Sequence, residues 1–219
     1  MVITVQPTRA TNEICAELHR ITRDGTVHRF PFDVTILPAN GIYALFEAGE
    51  QSHNGDRVVR IGTHTGVRQL RSRLQQHFVK ENKDRSIFRK NIGRCLLNRA
   101  SDAFLTEWDL DLTTRRARDT AGVVHAERRR AVEIAVTEYM RKAFRFVVFR
   151  VEDPGERRRL ESRMISTVST CDECRPSADW LGRHSPKDRI RQSGLWLVNE
   201  LYKAPLSSEN LQVLEGCVM

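Results

Sequence analysis

The sequence predicts an α+β fold in which a small mixed or antiparallel three-stranded sheet is flanked by helices. Two short strand-like segments on either side of a polar loop predict a hairpin at residues 42–61. A helix-spaced apolar pattern follows the hairpin, and a third apolar segment at residues 145–152 precedes another such pattern. The 219 residues, of which 40% are hydrophobic, are enough to form a core.

Helix-spaced apolar residues predict several helices along the chain. In the first, Ile14, Leu18 and Ile21 recur at helix spacing before Asp24-Gly25 ends the pattern. Residues 26–37 are predicted to be extended. The predicted helices cover residues 10–22, 67–79, 87–97, 127–144 and 156–169.

The hairpin is predicted from its turn signals. Asn40-Gly41 is a turn signal, and residues 42–47 follow it as a strand. Residues 47–56 are rich in Gly, Ser and Asn and are therefore predicted to form a loop. Residues 58–61 then return as the antiparallel partner of the first strand.

The composition limits the class of partner and the compartment. A net charge of +8 favours a polyanion such as nucleic acid, although a merely cationic, solvated surface fits equally well. No apolar run approaches the roughly 20 residues that span a bilayer, and no secretion signal is expected. Five cysteines, an odd number, do not predict a disulfide framework, so a cytoplasmic location is expected.

The most informative residues lie between positions 41 and 77. Gly41-Ile42-Tyr43 opens the first strand of the hairpin, and Arg60-Ile61-Gly62 closes the second. Arg73 and His77 follow on the next helix, and their spacing of four residues puts them on one face. This order of motifs resembles that of the GIY-YIG nucleases.

The resemblance implies a nuclease site that contains Tyr43, Arg60, Arg73 and His77. In the family the tyrosine takes a proton from the attacking water, which a phenol with a pKa of about 10 does only beside a metal or a cation. This chain has Arg60 where the family has a second tyrosine, so roles that need two phenols are in doubt. Arg73 would stabilise charge on the phosphate, and His77 would bind phosphate or move a proton.

Glu161 completes the implied site as its metal ligand. It shares a helical face with Ile165 and Val168, which puts its carboxylate at the edge of an apolar surface. In the GIY-YIG nucleases a glutamate on this helix binds the metal, so the resemblance implies Mg²⁺ or Mn²⁺ here. The alternative is that Glu161 pairs with a neighbouring arginine on an exposed helix.

Further candidates come from the segment that follows this helix. Pro176 and Asp179 have the spacing of the family's Pro-x-x-Asn, with Asp in place of Asn. Cys171 and Cys174 form a CxxC pair, for which a zinc site would require two more ligands. Cys95 and His184 are conceivable ligands, but the sequence favours free thiols over zinc.

A basic segment is predicted to contact nucleic acid. Arg85, Arg89, Lys90 and Arg94 lie on the predicted helix or just before it, where phosphate contacts would add affinity without sequence preference. The alternative is a solvated basic helix.

The resemblance also implies a domain organisation, since it covers roughly residues 40–180. A nuclease-like domain is predicted at residues 37–180, with an insertion at about 80–144. N- and C-terminal extensions are predicted at residues 1–36 and 181–219.

The implied function is a metal-dependent endonuclease that hydrolyses phosphodiester bonds in DNA. The alternatives are a catalytically inactive nucleic-acid-binding protein on the same fold and an RNA-directed enzyme. Retention of Glu161 together with Tyr43, Arg73 and His77 favours activity, because phosphate binding alone does not need a carboxylate. The oligomeric state stays open, with a homodimer as one option.

Overall fold

A computed structural model describes residues 8–120 and 125–219. The described residues form an α+β fold around one antiparallel sheet with strand order β1-β4-β2-β3. The predicted fold class is therefore confirmed, but the sheet has four strands because the two-residue strand β1 pairs with β4. The strands are β1 (His28–Arg29), β2 (Ile42–Ser52), β3 (Gly55–Gly62) and β4 (Phe144–Phe149).

The predicted helices are present, with shifted ends. Asp153 accepts a hydrogen bond from the backbone N–H of Glu156, and Pro154 occupies the first turn, which fixes where the helix after β4 begins. Among the described residues no helix combines the length and the apolar character that a membrane span requires. The helices are α1 (Arg9–Asp24), α2 (Leu70–Phe78), α3 (Ile87–Arg99), α4 (Leu105–Trp108), α5 (Arg115–Thr120), α6 (Ala126–Ala143), α7 (Pro154–Thr170), α8 (Asp188–Ser193) and α9 (Ser208–Glu215).

The sheet is covered on both faces, as the alternation along β2 requires. Tyr43 and Leu45 point into a cluster formed with helices α2, α3 and α6. Ile42 and Ala44 point the other way, into a cluster with α1, α7 and α9. Strand β3 lies at the edge of the sheet, so side chains from the two layers can meet around it.

The predicted hairpin loop at residues 47–56 is wrong. Strand β2 continues to Ser52, and the turn consists of His53 and Asn54, whose φ angles of 48° and 60° suit a tight hairpin turn. Glu47 is 2% exposed and accepts hydrogen bonds from the indole nitrogens of Trp180 at 2.8 Å and Trp196 at 2.7 Å. The polar residues that suggested a loop therefore include carboxylates that the fold buries.

Most of the basic segment that was predicted to contact nucleic acid is buried instead. Arg89 has no exposed surface and donates to Glu133 Oε2 at 2.7 Å and to the carbonyl oxygen of His77 at 2.9 Å. Lys90 donates to the carbonyl oxygen of Asp109 at 2.7 Å, and Arg94 pairs with the carboxylate of the same residue at 2.5 Å. These three cations hold helix α3 in the fold rather than facing solvent.

Arg89→Ala is expected to lower the free energy of unfolding by about 3–5 kcal/mol, because it leaves the buried Glu133 carboxylate without its positively charged partner. Arg85→Ala is the matched control, since Arg85 is exposed and its loss should change stability by at most about 0.5 kcal/mol. Urea unfolding of both variants would measure this. Equal stability of the two would refute the structural role of Arg89.

Candidate active site

A chain of three buried polar side chains lies between the sheet and helix α2. The phenol oxygen of Tyr43 is 2.7 Å from His77 Nε2, and His77 Nδ1 is 2.8 Å from Ser86 Oγ. Ser86 caps helix α3, so the start of that helix fixes the orientation of the imidazole. Burial and the neighbouring charges, chiefly Arg73, lower the pKa of His77 well below its ordinary value, so the imidazole is neutral at pH 7.

Gly62 makes room for the phenol of Tyr43. The two residues are paired across β2 and β3, and a Cβ added at Gly62 would lie 2.3 Å from the phenol oxygen. The φ angle of Gly62 is not in the left-handed region, so backbone conformation does not require a glycine here. Glycine is required because the side chain of Tyr43 approaches its Cα closely.

Gly62→Ala is expected to displace the phenol of Tyr43 from His77 and to lower the free energy of unfolding by about 1–3 kcal/mol through overpacking. Urea unfolding would measure the stability, and the NMR resonances of the His77 ring would report the lost hydrogen bond. Gly216→Ala is the control, because a Cβ there would meet no atom closer than 3.7 Å. An unperturbed His77 ring in Gly62→Ala would contradict the steric argument.

Arg60 lies on the same sheet face as Tyr43. It pairs with Leu45, two residues beyond Tyr43, and is 4% exposed. Its guanidinium donates to the carbonyl oxygen of Trp196 at 2.5 Å and stacks over the ring of Phe88, with 4.8 Å from the guanidinium carbon to the ring centroid. Its Nε has no hydrogen-bond partner within the described part of the chain.

Glu161 reaches this region from helix α7, around the edge strand. Its carboxylate accepts a hydrogen bond from the backbone N–H of Thr63, directly after β3. Burial raises the pKa of Glu161, while the positive charge of Arg60 and the hydrogen bond oppose that rise. Glu161 forms no ion pair with any residue that the structure describes, so its carboxylate lies near cations without direct contact.

Arg73 lines a polar cavity next to Thr63. The cavity has a volume of about 310 Å³ and lies between the loop after β3 and the first turns of helix α2. Arg73 donates to Gln76 Oε1 and to the carbonyl oxygen of Arg85, each at 3.2 Å. It also interacts electrostatically with both His77 and Glu161. Arg73 is thus the candidate residue that borders this cavity.

The comparison with protein families confirms the resemblance seen in the sequence. The GIY-YIG domain profile matches residues 10–219. The chain belongs to the GIY-YIG family. No curated protein and no solved structure gives a significant match to the chain. The match extends beyond the residues 40–180 on which the motifs lie, and includes most of the predicted extensions.

The structure brings the five GIY-YIG candidate residues into one network of contacts and charges. Tyr43 is hydrogen-bonded to His77. Arg60 and Arg73 interact electrostatically with both His77 and Glu161. Arg85 is exposed, and its carbonyl oxygen accepts the hydrogen bond from Arg73. The catalytic and binding roles of these residues remain predictions.

Three other candidates lie elsewhere. Asp179 is exposed, and its neighbours Ser177 and Trp180 bind Glu50 and Glu47 in the second half of β2, away from Tyr43. The structure therefore does not place Asp179 in the GIY-YIG site. Cys171 and Cys174 are buried at the end of helix α7, on the opposite sheet face from Tyr43.

Sequence reasoning missed two residues of the site, Ser86 and Thr63. Ser86 orients His77 through its side chain, and Thr63 binds Glu161 through its backbone. A helix N-cap signal before Ile87 could have drawn attention to Ser86. Nothing in the sequence indicates a backbone contact such as that of Thr63.

The residues around Glu161 suit a hydrated divalent cation. Mg²⁺ is commonly held through one or two carboxylates and several water molecules, which needs a polar space beside the carboxylate. Glu161 provides a carboxylate with no ion pair among the described residues. Thr63, whose backbone N–H donates a hydrogen bond to that carboxylate, lines the polar cavity. The donor chemistry therefore fits the metal that GIY-YIG nucleases typically use.

Proposed function

We propose that the protein is a metal-dependent endonuclease that hydrolyses phosphodiester bonds in DNA. One observation carries this: Glu161 lies in the field of Arg60 and Arg73, yet none of the three forms an ion pair with another residue in the described ranges. Two nearby cations and a carboxylate without an ion pair suit a phosphate group and a metal ion together. A surface for binding alone would not need the carboxylate.

In this proposal each side chain has a separate task. Arg73 and Arg60 stabilise the charge that develops on the phosphate oxygens in the transition state. Tyr43 takes the proton of the attacking water while its own phenol proton passes to the neutral imidazole of His77, whose Nε2 lies 2.7 Å from the phenol oxygen. When bound at Glu161, Mg²⁺ or Mn²⁺ would supply Lewis-acid stabilisation of the same oxygens.

The test is incubation of the purified protein with supercoiled plasmid, single-stranded DNA and structured RNA. We expect nicking of plasmid with Mg²⁺ or Mn²⁺, and none when the divalent ion is omitted. Omission, rather than addition of EDTA, is the preferred control because a chelator would also remove any structural metal. Cleavage that continues without the divalent ion would contradict the proposal, and cleavage of RNA alone would correct its substrate.

A catalytically inactive nucleic-acid-binding protein is the second candidate, and one observation favours it. Tyr43 has no exposed surface, so in this conformation its phenol cannot reach a water molecule in the cavity. Activity therefore requires that substrate binding opens a path to the phenol. DNA binding without cleavage under either metal would establish the inactive alternative.

A further inference from the structure

Five cysteine and histidine side chains from three distant segments meet beneath the tip of the hairpin. Helix α1 contributes Cys15 and His19, the turn between β2 and β3 contributes His53, and the end of helix α7 contributes Cys171 and Cys174. The four cysteine and histidine residues other than Cys171 have donor atoms within 4.8 Å of one another. These residues have no part in the proposed nuclease chemistry.

The distances match those between the ligands of a tetrahedral zinc ion. Two sulfurs, each about 2.3 Å from the ion, are about 3.8 Å apart at the tetrahedral angle, and a sulfur and a nitrogen are about 3.6 Å apart. Cys15 Sγ is 3.6 Å from Cys174 Sγ, and His53 Nε2 is 3.3 Å from Cys171 Sγ. Cys171 also interacts with the thiols of both Cys15 and Cys174.

The two histidines differ in which ring nitrogens are free. His19 has both occupied: Nδ1 lies 2.9 Å from the carbonyl oxygen of Cys15, and Nε2 accepts the backbone N–H of Val58 at 3.2 Å. His53 Nδ1 lies 3.3 Å from the carboxylate of Glu173, which leaves Nε2 for the thiols. A ligating histidine commonly donates its other nitrogen to a carboxylate in this way.

We propose that Cys15, His53, Cys171 and Cys174 bind a structural zinc ion. Zinc sites with three cysteines and one histidine are closed and tetrahedral, and Cys171 and Cys174 have the CxxC spacing that such sites use. The sequence favoured free thiols because the ligands in helix α1 and the hairpin turn are far from the CxxC pair along the chain. The partners it suggested, Cys95 and His184, lie outside this cluster.

Burial supports a closed structural site rather than a reactive one. The side chain of His53 is 4% exposed, and Cys15, Cys171 and Cys174 are each at most 2% exposed. A disulfide between Cys15 and Cys174 would use only two of the four donors. It would not account for the thiol of Cys171 and the imidazole of His53 beside them. Zinc would use all four, with the thiols losing their protons on binding.

The ion would connect three elements that position the nuclease site. Helix α7 carries Glu161, the hairpin carries Tyr43 and Arg60, and helix α1 packs against both α7 and β3. Zinc would therefore stabilise the relative positions of the two sides of the candidate site. This role does not depend on the proposed nuclease activity, because a binding protein on the same fold would need the same support.

The first test is metal analysis of the full-length protein, purified under reducing conditions after expression with added zinc. We expect one zinc per chain and three thiols that react with a thiol reagent only after a chelator is added. Replacement by Co²⁺ should give sulfur-to-cobalt charge-transfer bands and the intense visible bands of tetrahedral coordination. Protein without metal whose thiols all react, or that contains a disulfide between Cys15 and Cys174, would overturn the proposal.

The second test is His53→Asn, which removes the imidazole while keeping a residue that tolerates the positive φ of this turn. We expect zinc affinity to fall by more than about 100-fold, since even loss of a supporting group costs 10- to 100-fold. A chelator should lower the melting temperature of the native protein more than that of the variant. Cys217→Ser, at a cysteine outside the cluster, is the control. Unchanged zinc affinity in His53→Asn would refute the assigned ligand set.

Discussion

Glu161→Gln is expected to reduce metal-dependent cleavage by at least about 10³-fold, because the amide cannot replace the carboxylate that we propose as the ligand of the divalent cation. DNA affinity should change by only a fewfold, since the arginines that attract the phosphates remain. The measurement is single-turnover plasmid cleavage, together with a binding titration in the absence of divalent ions.

The same variant separates a catalytic role from a structural one. Burial raises the pKa of Glu161, so a neutral amide of similar shape should leave stability to urea unchanged or slightly higher. Glu156→Gln is the matched control, because Glu156 lies on the same helix and pairs with Arg159 at the surface. Full cleavage by Glu161→Gln would show that the metal is not bound there, and a large loss of stability would make Glu161 a structural residue.

The sequence predicted the order of the main elements because their apolar patterns are local. Apolar residues such as Ile14, Leu74 and Val136 recur at helix spacing, and they lie in helices α1, α2 and α6 as predicted. Helix α7 and strand β4 also lie where their apolar patterns predict them. The extent of the hairpin was not predictable in this way. In the sequence Glu47 is typical of a loop residue. Its hydrogen-bond partners, the indoles of Trp180 and Trp196, lie 133 and 149 positions away along the chain.

The same limit explains the error at helix α3. The charges of Arg89 and Arg94 are visible in the sequence, but whether they are solvated depends on Glu133 and Asp109. Long-range partners of buried charges leave no periodic signal. The GIY-YIG residues were found because their motifs combine short spacings with a fixed order, whereas Ser86 and the backbone of Thr63 follow from the packing of helices α3 and α7.

Arg73→Lys is expected to lower the cleavage rate by about 10²–10³-fold, which is the usual loss when a charge-stabilising donor is removed from a transition state. Lysine keeps the positive charge but lacks the planar fork that binds two phosphate oxygens at once. If Arg73 acts mainly in the transition state, DNA affinity should change far less than the rate. Rate and affinity measured on one substrate at a fixed salt concentration would show the difference.

Arg71→Lys is the matched control, because Arg71 lies on the same helix but donates to the carbonyl oxygen of Leu37, at 2.8 Å, outside the cavity. Its cleavage rate should stay within a fewfold of the native value, even if some stability is lost. Near-normal turnover by Arg73→Lys would reduce Arg73 to a general basic contact. Equal losses of rate and of affinity would mean that Arg73 binds substrate and transition state alike. The rate enhancement would then have to come from Arg60 and from the metal proposed at Glu161.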